Sequence, residues 1–176
     1  MSDEYHFACR IADMKPMSCR NRFHSFPARS SEVARAEKRY SSARASANGR
    51  DLVVVMINDA EFYAMDERCY HAGGPLDQGD IEVEDFEGRL CIVCPWHRHR
   101  ITLDTGESLY HALADPRDPR RSSHLLKSKG VKQRTHRVKR IGDDLFVKLK
   151  LDGDDVDSDY YYSDSYEKIM KSVEKN

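Results

Sequence analysis

The sequence predicts an all-β domain with polar flanking segments. Its apolar residues come in short runs such as Leu52–Ile57 and Leu90–Val93, rich in β-branched side chains and bounded by Asn, Asp and Gly. Asn48-Gly49 sits between two extended segments, the strongest short hairpin signal, because both central residues of such a turn take positive φ. Helical periodicity is missing until the final stretch of the chain. Many short strands separated by turns make a sandwich or barrel.

Residues 1–20 carry no clear period and read as a mobile N-terminal extension, within which Phe7 to Ile11 has the makings of a short strand. Phe23 to Ala28 is the expected opening strand of the domain. Lys38 to Ala45 should pair across Asn48-Gly49 with Leu52-Val53-Val54-Val55-Met56-Ile57, a central strand. Asn58-Asp59 turns the chain and Glu61 to Met65 returns. Leu90 to Val93 and Ile101 to Leu103 are further short strands, followed by the turn Asp104-Thr105-Gly106. Val131 to Val138 and Leu145 to Leu151, with Gly142-Asp143 between them, close the domain. The expected division is an extension at 1–20, a domain at 21–151 and an acidic, tyrosine-rich tail at 152–176. In that tail Tyr160, Tyr161 and Tyr162 should pack back on the domain, and Tyr166 to Val173 should form a short helix.

With 176 residues the chain can bury one sizeable core. Charged residues make up 34%, above the usual quarter, yet the net charge is only −1. No global field attracts nucleic acid or a membrane surface. The run from Arg20 to Arg50 has eight basic residues against Glu32 and Glu37, and reads as strand, loop and strand with solvated side chains rather than a nucleic-acid arm. No stretch approaches the roughly 18 apolar residues of a membrane span. Met1-Ser2-Asp3-Glu4 lacks the layout of a signal peptide, so the expected location is cytoplasmic. Cys9, Cys19 and Cys91 should then be free thiols.

Two cysteine–histidine pairs carry the chemistry: Cys69-Tyr70-His71 and Cys94-Pro95-Trp96-His97. Each follows an apolar run, so a strand can hold it, and each supplies one thiolate and one imidazole. A [2Fe–2S] centre of the Rieske type needs this 2 + 2 set, because two histidines replace two cysteines on one iron. Neutral imidazoles leave the site less negative, which favours uptake of an electron. Zinc also accepts two cysteines and two histidines, and Cys91-Ile92-Val93-Cys94 offers a C-x-x-C pair. In an extended strand, however, those two side chains point to opposite faces. Structural zinc remains the weaker alternative, and Cys91 reads as a core thiol. His99 reads as a surface residue.

Cys69 to Leu76 and Cys94 to His97 resemble the two cluster loops of Rieske-type ferredoxins. Cys69 to Gly79, Cys91 to His97, Ile101 to Gly106 and Lys129 to Arg134 are similar to soluble animal members of that family. The resemblance spans Leu52 to Leu151 and weakens towards the N-terminus. It implies a Rieske iron–sulfur fold, with antiparallel sheets and a two-loop cluster-binding subdomain. It also implies one [2Fe–2S] cluster per chain, with Cys69 and Cys94 on the inner iron and His71 and His97 on the outer one. High-potential respiratory relatives bridge their loops by a disulfide, at positions held here by Gly74 and Trp96. They also place hydroxyl donors where this chain has His99 and Ile101. Fewer donors to sulfur disfavour reduction, so the expected potential is low, on the order of −150 to 0 mV.

The expected function is one-electron transfer between a reductase and an acceptor protein, without a catalytic residue of its own. Trp96, Ala72 and Pro75 should border the docking face, and the basic residues from Arg117 to Arg140 could steer an acidic partner. A redox-sensing module is the second reading. An oxygenase is excluded by length and by the missing 2-His-1-carboxylate pattern, and no G-x-G-x-x-G or P-loop sequence is present.

Overall fold

The computed structural model describes residues 4–21, 39–83 and 88–173. Two sheets made largely of antiparallel strands account for most of them. In chain order the strands are β1 (His6–Arg10), β2 (Lys15–Pro16), β3 (Cys19–Asn21), β4 (Tyr40–Ala47), β5 (Arg50–Ile57), β6 (Glu61–Asp66) and β7 (Asp80–Val83). They continue with β8 (Leu90–Val93), β9 (Arg100–Thr102), β10 (Glu107–Leu113), β11 (His124–Val131), β12 (Thr135–Ile141) and β13 (Asp144–Lys148). One sheet has the order β1-β13-β12-β6-β5-β4-β2 and the other β11-β10-β9-β8-β7-β3. The chain ends in a 3-10 helix, Asp157–Tyr162, and a short helix, α1 (Asp164–Val173). No helix among the described residues is long and apolar enough to cross a membrane.

β5 shows why the sequence run Leu52–Ile57 is apolar at every position. Side chains alternate along a strand. Val53, Val55 and Ile57 enter one core cluster with Met65, Ile81, Ile92 and Ile101, which joins the two sheets. Leu52 and Val54 enter a second cluster with Ala47, Ala64, Leu145 and Val147. A strand buried on both faces needs no polar alternation. The β4–β5 hairpin closes through Asn48 and Gly49, both at positive φ (49° and 75°), and β5–β6 closes through Asn58 and Asp59 (51° and 60°).

Residues 6–21, expected to be mobile apart from one strand, are built into both sheets. β1 pairs with β13, β2 with β4, and β3 runs parallel to β7. The Phe23–Ala28 strand lies outside the described residues. The Val131–Val138 run is not one strand: β11 ends at Val131, Gln133 turns inward, and β12 starts at Thr135. The β10–β11 hairpin escaped the sequence reading. Beyond Leu109 it pairs only with itself and projects from the sheet as an arm.

Candidate metal centre

The two ligand loops come from different sheets. Cys69 follows β6 in one sheet, and Cys94 lies in the β8–β9 connection of the other. Their backbones repeat the same turn. The Cys69 carbonyl accepts Gly73 N–H at 2.8 Å, and Cys69 N–H donates to the Gly74 carbonyl at 2.9 Å. In the second loop, the Cys94 carbonyl accepts Arg98 N–H at 3.0 Å, and Cys94 N–H donates to the His99 carbonyl at 2.9 Å. The fourth residue after each cysteine takes positive φ: Gly73 at 71° and Arg98 at 59°. Arg98 is held in that conformation from its far end, where its guanidinium donates to Glu82 at 2.7 Å.

This geometry turns both sulfurs inward. Cys69 and Cys94 are buried within the core cluster that joins the sheets. Backbone N–H groups of His71 and Ala72 reach Cys69 Sγ, and those of Trp96 and His97 reach Cys94 Sγ. The two cysteines hydrogen-bond to each other, which pushes the Cys94 thiol down to about 6 and holds the Cys69 thiol well above its usual range. One sulfur is thus readily a thiolate, and a metal centre held here would displace the proton of the other.

His71 and His97 are exposed, with ring centroids 4.9 Å apart and planes crossing at 86°. Thus the sulfurs are paired in the interior and the imidazoles are paired at the surface. Among the described residues, no three His, Cys, Asp or Glu side chains are gathered as a single ion would require. A group that spans from buried sulfurs to exposed imidazoles suits this arrangement better than one tetrahedral zinc. The two loops pack closely here: a Cβ built on Gly74 would lie 2.7 Å from Cys94 Sγ and 3.2 Å from the Trp96 ring. The donor set and the cradle therefore fit a two-iron cluster.

Three neighbours carry signals that the sequence reading passed over. His99 is not a free surface residue. It is half-buried, its ring centroid lies 4.2 Å from that of His71, and its Nδ1 lies 2.9 Å from the Tyr70 hydroxyl. Burial, followed by the nearby charges of His71 and Lys129, lowers its pKa. The Tyr70 hydroxyl is also 2.6 Å from Ser108 Oγ, so it serves His99 and Ser108. Gln133, fully buried, donates to the carbonyls of Asp66 and Arg68 at 3.0 and 2.9 Å and accepts Tyr70 N–H at 2.9 Å. It thereby brackets Cys69 from both sides. Its place in the Lys129–Arg134 stretch that resembles the family was the available signal, but a polar residue in a turn does not announce burial.

Cys91 is a buried thiol on β8, as expected, and no disulfide joins the cysteines among the described residues. Trp96 is 57% exposed beside His97, with Ala72 exposed and Pro75 half-buried across the loops.

The family model for soluble Rieske-type ferredoxins matches residues 31–151. The human Rieske domain-containing protein is 48% identical over 120 residues, covering 68% of this chain and 73% of its own. The 3-phenylpropionate/cinnamic acid dioxygenase ferredoxin subunit of Photorhabdus laumondii is 33% identical over 58 residues, which are 33% of this chain and 50% of that relative. Among solved structures, the ferredoxin of carbazole 1,9a-dioxygenase from Nocardioides aromaticivorans has the same fold. It superposes with a TM-score of 0.51 at 18% identity, covering 84% of this chain and 100% of that one. With a family match that begins before β4 and runs past β13, and a human relative aligned over two thirds of its length, this chain belongs to the soluble Rieske-type ferredoxins.

Proposed function

We propose that this ferredoxin carries one electron at a time on a [2Fe–2S] cluster held by Cys69, Cys94, His71 and His97. The carrier role, the iron–sulfur group and the dependence on redox partner proteins follow from the family. The particular ligand set rests on one observation: two buried, hydrogen-bonded sulfurs lie beneath two exposed imidazoles on twin loops. The bound cluster supplies a reversible one-electron couple. Cys69 and Cys94 anchor it as thiolates, and the four backbone N–H groups directed at them offset their negative charge. His71 and His97 present ring edges to solvent, where an electron leaves toward a partner. Trp96, Ala72 and Pro75 frame that exit.

Among the described residues no side-chain hydroxyl bonds to either sulfur, and that of Tyr70 is engaged by His99 and Ser108. This favours a potential at the low end for such centres, on the order of −150 to 0 mV. We take 21–151 as the cluster-bearing domain and the cytoplasm as its compartment. Anaerobic purification should give a coloured protein whose reduced form has a rhombic paramagnetic spectrum. His97→Ala should abolish that spectrum or change its type while the protein stays folded. A His97→Ala protein with the native signature, or a colourless protein loaded with zinc, would overturn the ligand assignment.

A further inference from the structure

Building on that reading, we infer that the C-terminal segment Val156–Ser163 is a clasp on the first ligand loop, fixing the position of Cys69 and limiting water at its buried side. The family match stops at residue 151, before this segment begins. The segment nevertheless bonds to Asp66, shortly before Cys69, and pairs with Arg50 and Arg134, and Arg50 in turn holds Asp66.

Four residues of the clasp reach that loop or the strands and turn that support it. Ser158 is fully buried. Its hydroxyl donates to Asp66 Oδ2 at 2.6 Å, at the end of β6, and accepts Arg134 N–H at 2.9 Å. Asp159 takes the guanidinium groups of Arg134 and Arg50, with Arg134 Nε at 2.7 Å, and accepts its own turn's Val156 N–H at 3.0 Å. Arg50 in turn donates twice to Asp66, at 2.6 and 2.8 Å. Tyr161 covers the loop itself: a Cβ on Gly73 would stand 3.0 Å from its ring. Tyr162 closes the side, with its hydroxyl on the Asp51 carbonyl at 2.7 Å and the Arg50 guanidinium 4.2 Å above its ring.

A short 3-10 helix does not order itself, because fixing each residue costs conformational entropy that so few internal bonds do not offset. What holds it is this set of polar contacts, which apart from the Asp159–Val156 bond end on β6, on its neighbour β5 or on the turn that carries Gln133. Gln133 completes the arrangement by bracketing Cys69 between Asp66, Arg68 and Tyr70. Ser158 N–H donates to the Lys132 carbonyl at 3.1 Å, next to Gln133 in the chain. Loosening the tail therefore loosens the bracket and uncovers Gly73.

The test compares the full-length holoprotein with Asp159→Asn, Tyr161→Leu and Val147→Ala. Val147 lies in the core cluster away from the ligand loops, so Val147→Ala reports destabilisation alone. Amide exchange of residues 66–74 and 152–163, the rate of cluster loss to an iron chelator and the midpoint potential are measured. Both clasp variants should release residues 152–163, raise exchange at 66–74 and speed cluster loss about ten- to hundredfold. They should also move the potential upward as water reaches the sulfurs. Val147→Ala should lower the melting temperature and leave the potential and loop exchange as in wild type. Release of 152–163 without change at 66–74 or in potential overturns the clasp, and so does a tail that stays protected in both variants. Exchange in the apoprotein reads the clasp even if the wild-type protein shows no Rieske spectrum, an outcome that would overturn the ligand assignment instead.

Discussion

At Gly74 one methyl group separates a seat from a clash. Its backbone is needed to accept Cys69 N–H, and its missing side chain leaves room for Cys94 Sγ. Gly74→Ala places a carbon 2.7 Å from that sulfur, so the second loop must retreat. The variant should fold, as the sheets are untouched, but incorporate little cluster on reconstitution. A holoprotein yield equal to wild type, read by iron content, would show that the loops are not packed as described. The four proposed ligands could be picked out in the sequence because each pair is local: a cysteine and a histidine two or three residues apart after an apolar run. Their support could not. His99 meets His71 across loops, Tyr70 reaches Ser108, and Gln133 reaches Asp66 and Arg68. Such contacts depend on which strands become neighbours, which spacing along one chain does not state.

Turns were read well where the chain's own geometry decides them and poorly where packing does. Asn48-Gly49 and Asn58-Asp59 close their hairpins as expected, with positive φ at all four residues. The β10–β11 arm was missed because Ala114–Ser123 between its strands carries no two-residue turn signal, and its exposed strands have no apolar face to alternate. Gly49 and Gly106 distinguish the two situations at equal backbone strain, since both have φ of 75°. At Gly49 nothing lies within 4 Å of an added Cβ, so Gly49→Ala should lose only the conformational term, about 1–2 kcal/mol. At Gly106 the Cβ would stand 1.9 Å from the Gln133 carbonyl oxygen. Gly106→Ala must therefore displace the turn that brackets Cys69. Urea melts should give a modest loss with an unchanged cluster spectrum for the first, and for the second a larger loss together with a disturbed spectrum. Equal behaviour of the two would mean that φ alone sets the requirement.

Across the whole molecule, near-neutrality hides an uneven distribution of charge. The net charge is −1, yet residues 152–167 hold seven acids and no base, whereas residues 110–131 hold five basic residues against Asp115 and Asp118. The tail's acids are partly spent on the clasp, where Asp159 meets Arg134 and Arg50 and Asp157 meets Lys132. The arm's cations make no ion pair among the described residues, so their field reaches solvent. That arm is joined to the proposed electron exit: Ser108 at its root touches Tyr70, and Lys129 stands 5.5 Å over the ring of Tyr110, two residues further along β10. An anionic oxidant approaching His71 should be drawn in, and a cationic one repelled, within about 10 Å at 0.1 M salt. Stopped-flow oxidation of the reduced holoprotein by hexacyanoferrate(III) should slow as salt rises, and that slope should flatten in Lys127→Ser/Lys129→Ser, which removes the two cations of the arm nearest His99. Oxidation by tris(phenanthroline)cobalt(III) should respond in the opposite sense. If the double variant keeps the wild-type salt slopes with both oxidants, the arm does not steer partners, and docking is left to the exposed loop tips around Trp96.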